Sequence, residues 1–214
     1  MTNLHPRYIK SHIFDYKPFA NNIEIFLDFN CPFSAKLFIK IQDEILPLLK
    51  NKNLNNKYNI IFINVIQPWH GIQSSILHDV SFAICKISPE NFLNISRIFF
   101  ENIKKFYDSE INNKSRSELT NEIINLAINN DKCEFTSNEI SEIKNLLEIK
   151  KSDDGEPSNN GNGVSKDNKY FTRYHRTLGI HITPSVVING IFNSEIGSST
   201  NAEKFIEIIE NQCN

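Results

Sequence analysis

Two stretches of the chain carry the apolar pattern of buried strands. Ile23 to Phe29 (IEIFLDF) alternates at first and then becomes almost continuously apolar, and Tyr58 to Ile66 (YNIIFINVI) is apolar over most of its length. Runs of this kind suit strands covered on both faces. Between them, Phe33, Leu37, Phe38, Ile41, Ile45 and Leu48 keep helical spacing, with Pro32 in the first turn, where its missing N–H costs nothing. Pro47 is expected to kink or end this helix, and Asn51 to Lys57 reads as a polar connection. Strand, helix and strand in this order require a parallel pair joined by a right-handed crossover. Residues 1 to 21 read as a leader that adds an edge strand or drapes over the core.

Gln67-Pro68-Trp69-His70-Gly71 breaks the second strand, and the pattern is then helical as far as Lys150. Helices are expected over Ser75–Ile87, Glu90–Tyr107, Ser117–Asn129 and Thr136–Ile149. The second carries a stripe of Phe92, Ile95, Phe99, Ile103 and Phe106. The third is opened by a capping-box-like Ser117/Thr120 region, and the fourth has Ser137 as its N-cap. Ser152 to Asn168 (SDDGEPSNNGNGVSKDN) is of low complexity and is expected to be a disordered or mobile surface loop. Tyr170–Leu178 reads as a short helix ended by Gly179. Ser185–Ile188 and Ile191-Phe192 read as strands joined by an Asn189-Gly190 hairpin. A final amphipathic helix runs from Ala202 to Asn211, with Phe205, Ile208 and Ile209 inward.

The chain therefore reads as one domain over residues 1–214. Residues 22–72 form a first α/β half, 73–150 an all-helical insertion, 151–169 a loop, and 170–214 a second half that completes the sheet. A net charge of −2 implies no nucleic-acid partner. No apolar run approaches the roughly 18 residues that span a bilayer, so no membrane partner is expected. The N-terminus lacks the hydrophobic core of a signal peptide. The four cysteines, Cys31, Cys85, Cys133 and Cys213, show no paired spacing, and reduced thiols in a cytoplasmic location are the expectation. Oligomeric state is left open.

Cys31 changes this picture from architecture to chemistry. It stands where the first strand runs into the first helix, followed by Pro32, Phe33 and Ser34. A thiol at a helix start meets unpaired backbone N–H groups and the positive end of the helix dipole. Both favour the thiolate, which is the nucleophile.

The element order is β-α-β followed by α-β-β-α, with helices inserted between. With FNCPFSAKLF at residues 29–38 and GIHITPSVVING at 179–190, the chain resembles the DsbA-like branch of the thioredoxin superfamily. QPWHG at 67–71 is similar to a segment of uncharacterised proteins of that branch. The resemblance implies an α/β, thioredoxin-like fold with a central mixed sheet. It implies that Cys31 is the attacking cysteine and that Pro32 and Phe33 are the dipeptide that tunes it. It also implies that Thr183-Pro184 is a cis-proline loop that holds substrate backbone. Ser34 departs from the dithiol pattern C-x-x-C, and a hydroxyl cannot form the resolving S–S bond; its catalytic role would instead be to donate a hydrogen bond to the Cys31 thiolate and keep that pKa low.

The expected activity is thus monothiol thiol–disulfide exchange at Cys31, with glutathione or a mixed-disulfide protein as partner. No tightly bound cofactor and no metal are expected, and glutathione would serve as co-substrate. Three other readings stand. The first is a kappa-type glutathione transferase or isomerase, with Ser34 activating glutathione. The second is an iron–sulfur site completed by glutathione. The third is a redox-inactive module that grips an extended peptide. Trp69 and His70 either line a substrate groove beside Cys31, or Trp69 packs on the helical block with His70 exposed. Asp28 is a candidate buried carboxylate near Cys31, for proton transfer or for structure. Cys85 reads as a buried hydrophobe, and none of Cys85, Cys133 and Cys213 is spaced as an obvious partner for Cys31, with Cys213 the minor alternative as a distant resolving thiol. His78, His175 and His181 lack metal-ligand spacing, and His181 is expected to face away from the core.

Overall fold

The computed structural model describes residues 4–152 and 154–213. Four strands form a mixed sheet of order β2-β1-β3-β4, with β1 Asn21–Leu27, β2 Tyr58–Asn64, β3 Ser185–Ile188 and β4 Ile191–Asn193. β1 and β2 are parallel in the register Ile23–Ile60 to Leu27–Asn64. β3 runs antiparallel to β1, Ile25 opposite Val186, and β4 closes a hairpin on β3. Among the described residues the leader adds no strand. It forms a short helix, α1 (Ile9–His12), and a single antiparallel bridge from Ile13 to Ile61.

The crossover helix α2 (Pro32–Lys40) passes through a widened turn at Ile41–Ile45 and resumes as α3 (Leu46–Asn51). Pro47 neither kinks it sharply away nor ends it. Leu46 donates to the Ile41 carbonyl five residues back, and this looser turn absorbs the N–H that proline lacks. β1 stops two residues before Phe29. There the Asp28 N–H turns to Ser34 Oγ and leaves the ladder.

The inserted block contains α4 (Gly71–Ile87), α5 (Phe92–Glu101), α6 (Asp108–Ile111), α7 (Arg116–Ile128) and α8 (Ser137–Leu147). The helix expected over Glu90–Tyr107 is broken after Glu101, because the Asn102 side chain donates to the Ile98 carbonyl and caps the turn. The stripe of Phe92, Ile95, Phe99, Ile103 and Phe106 is buried throughout. The capping boxes lie slightly upstream of their expected places. Ser115 pairs with Glu118, and Thr136 pairs with Glu139.

The low-complexity segment is shorter as a loop than its composition suggests. α9 (Ser165–Thr177) starts five residues before Tyr170. Asp79, buried on α4, accepts hydrogen bonds from Asn162 and Asn168, and Val164 is fully enclosed. A polar sequence is ordered here because a buried carboxylate supplies the acceptors. The chain ends on α10 (Ala202–Cys213), which buries Phe205, Ile206, Ile208 and Ile209. No helix among the described residues is long and apolar enough to cross a membrane.

Candidate active site

Cys31 caps the N-terminal end of α2 and is 2% exposed. Its backbone N–H donates to the Asp28 carbonyl at 3.1 Å, which closes a tight turn between strand and helix. Its thiol donates to the Thr183 carbonyl at 3.3 Å. The Thr183–Pro184 peptide bond is cis, immediately before β3. Two segments more than 150 residues apart in the chain thus meet at one sulfur.

Ser34 sits one turn into α2 and is fully buried. Its Oγ accepts the Asp28 backbone N–H. This position has a structural partner in the Asp28 backbone. Pro32 and Phe33 occupy the exposed side of the turn, with Phe33 61% exposed. Trp69 is 65% exposed, so it does not pack on the helical block. Ile72 and Ile182 are exposed on the adjoining segments.

His70 turns inward, contrary to an exposed imidazole. Its Nδ1 lies 2.9 Å from Asp28 Oδ2, and its side chain keeps 18% exposure. The Asn30 side chain donates to the His70 carbonyl at 3.0 Å, so the Gln67–Gly71 loop is stapled to the Cys31 turn. Gly71 lets the loop enter α4. Its φ of 73° with ψ of −176° is a region that only glycine enters readily. Gly71→Ala should cost about 1–3 kcal/mol of stability, read as a lowered urea midpoint.

Asp28 is fully buried and heavily solvated by the protein. It accepts from the backbone N–H of Asn30 (2.9 Å) and Gln67 (2.7 Å), from Ser74 Oγ (2.8 Å) and from His70. Burial alone would raise its pKa. The His70 and His78 imidazoles and the Asn30 N–H outweigh burial and hold the carboxyl well below the usual range. Glu24 is a second buried carboxyl. It accepts from Tyr174 Oη at 2.6 Å, and burial pushes its pKa up against that bond.

The other cysteines are elsewhere. Cys85 contacts Ser11 Oγ, and burial pushes its pKa to about 11. Cys133 is likewise buried, with its pKa pushed to about 11. Cys213 lies beside Asn189, at the end of β3 remote from Pro184. That location leaves it unable to resolve a disulfide at Cys31 in this conformation. No cluster of three or more metal-ligating side chains exists among the described residues.

Ser74, His78, Asn64 and His12 were not evident as site residues. One signal was present: His70, Ser74 and His78 recur at intervals of four, the spacing of one helix face. Nothing local pointed to His12 or Asn64.

The mixed sheet, the cysteine at the start of α2 and the cis-proline loop beside it define a DsbA-like thioredoxin fold. Solved structures agree. A candidate protein-disulfide isomerase from Pseudomonas syringae superposes with a TM-score of 0.68 at 20% identity, covering 94% of this chain and 99% of that one. MdbA, a thiol-disulfide oxidoreductase from Actinomyces oris, gives 0.62 at 15% identity, covering 90% and 81%. BdbD from Bacillus subtilis gives 0.59 at 16%, covering 95% and 94%. No protein-family model matches the sequence, and no curated protein matches it.

Proposed function

We propose that this protein carries out monothiol thiol–disulfide exchange at Cys31. The observation that carries the reading is the Cys31 sulfur at the head of α2, 3.3 Å from the Thr183 carbonyl, with a buried serine where a second thiol would stand. The Cys31 thiolate attacks a disulfide and keeps one half of it as a mixed disulfide. An external thiol then attacks that bond and frees Cys31. Glutathione is the proposed external thiol, and a reducing compartment such as the cytoplasm would supply it. Phe33, Trp69, Ile72 and Ile182 expose apolar surface around the turn, which favours a polypeptide carrying the disulfide as the larger partner. Thr183 and Pro184 would hold its backbone.

The test is incubation with glutathione disulfide followed by peptide mapping. One glutathionyl group is expected at Cys31, removed by reduced glutathione. Absence of any adduct there, in folded protein, would favour the redox-inactive binding module. A second variant probes the monothiol step. Ser34→Cys restores a C-x-x-C pair and should convert the stable mixed disulfide into an internal one. The glutathionylated fraction should then fall at least tenfold, about 1.4 kcal/mol in the exchange equilibrium.

A further inference from the structure

The exposed side of α9 forms a groove of about 550 Å³. Lys166, Lys169 and Arg173 line it with Tyr170, Tyr174 and Leu178, and no acidic side chain does. These positions recur at steps of three and four, so they share one face of the helix. All three cations are exposed, and none forms an ion pair among the described residues. The one carboxylate on α9, Asp167, is buried and already faces Arg7 at 3.4 Å and Lys86 at 2.9 Å. The two tyrosines are held in place by their hydroxyls. Tyr170 Oη accepts the His5 N–H at 2.7 Å, and Tyr174 Oη donates to Glu24 Oε1 at 2.6 Å. Their ring centroids lie 6.1 Å apart, and together they give the groove a half-buried aromatic floor. Glu24 is 3% exposed, and burial disfavours its charged form, so it does little to offset the cations.

This arrangement selects its occupant. Lys166 and Arg173 stand two helical turns apart, about 10 Å, so the positive charge is spread along a line and does not ring one point. A single phosphate or carboxylate therefore uses only part of it. An extended peptide rises about 3.3 Å per residue, and acidic side chains about three residues apart match the same span. Apolar or aromatic side chains between them would lie on the tyrosine rings. A second copy of this chain is a poor match. A two-fold contact sets one patch against itself, which here opposes cation to cation. A nucleic acid would meet the repulsion of a chain whose net charge is −2.

We propose that this face of α9 binds an acidic segment of a polypeptide. The groove ends at Leu178, and only Gly179–Ile182 separate it from Thr183, whose carbonyl meets the Cys31 thiol. The C-terminal end of α9 thus leads into the cis-proline loop. The acidic segment accordingly belongs to the polypeptide that brings the disulfide, and this identity of the partner rests on thiol exchange at Cys31.

The test uses the full chain and a fluorescein-labelled peptide, Gly-Glu-Tyr-Glu-Leu-Asp-Glu-Gly, which carries no cysteine. Fluorescence anisotropy should show binding that weakens as salt is added. The same peptide with Gln and Asn in place of Glu and Asp should bind more weakly, on the order of tenfold. In the nitrogen-labelled protein the amide shifts that move with peptide should map to α9. Lys169→Glu combined with Arg173→Glu should lower affinity for the acidic peptide on the order of tenfold. Both side chains are exposed, so the fold should persist, and the comparison of the two peptides needs no variant. Equal binding of the acidic and amide peptides overturns the proposal, and so do shifts confined to other segments. A single-stranded oligonucleotide of equal charge that binds more tightly than the peptide overturns it in favour of nucleic acid. A dimer in sedimentation that the double substitution dissolves gives the face to a second copy and overturns it as well. Peptide bound as stated, with Cys31 inert toward glutathione disulfide, overturns the exchange reading instead and leaves the peptide site on α9 standing.

Discussion

Cys31→Ser is expected to abolish mixed-disulfide formation, measured as the glutathionylated fraction of intact protein by mass spectrometry. This loss depends on the state of the other thiols as much as on Cys31. Burial pushes Cys85 and Cys133 to about 11. At neutral pH only roughly one such thiol in ten thousand is ionised, and both are closed to solvent. Cys213 is the competitor least buried of the other three, and burial raises its pKa too, against a hydrogen bond from Asn189. An adduct that survives the substitution and maps to Cys213 would move the activity to the other end of the sheet. The serine is nearly isosteric and its hydroxyl can still reach the Thr183 carbonyl. The fold should therefore persist, and the loss would report chemistry.

Acidification is expected to weaken the fold in two stages, read as the urea midpoint against pH. His12 sets the first. Its folded pKa of about 3 lies below the ordinary 6.5. Between those values the unfolded chain binds a proton that the folded chain refuses, so stability falls as pH drops through this window. The slope for one such group is about 1.4 kcal/mol per pH unit. His175 is also depressed by burial and adds with the same sign. Asp28 sets the second stage. Its pKa is held below the usual carboxylate range, so its contribution is complete above about pH 4 and is lost only as pH falls further. His12→Gln keeps a donor toward Asn64 but cannot titrate. It should remove about one proton's worth of slope between pH 6.5 and 3 and leave the lower limb in place. A native slope unchanged by this variant would show that His12 is protonated in the folded state.

Much of the fold was legible because it depends on local pattern. Apolar runs placed β1 and β2, a Thr-Pro and Asn-Gly pair bracketed β3, and the phenylalanine stripe marked a buried helix. Element ends were less legible, since side chains distant in sequence or unrecognised as caps decide them. Asn102 breaks a helix through its own amide, and Asp79 orders residues that composition assigns to a loop. Trp69 and His70 show the same limit. Their places beside a strand end could be read from the chain, but the inward turn of His70 depends on a carboxylate 42 residues away.

By itself the sequence determined the thioredoxin-like order and the position of the one thiol at a helix start. Hydrophobic periodicity and proline placement act over a few residues and need no tertiary partner. Only the tertiary structure decided what surrounds that thiol. Ser34 spends its oxygen on a backbone N–H, and His12, Asn64 and His78 converge from segments 52 and 14 residues apart. A buried polar group must find its partner wherever the fold brings one. The partner of Asp28 is therefore a property of the packed core, and it could not be read from any one segment of the chain.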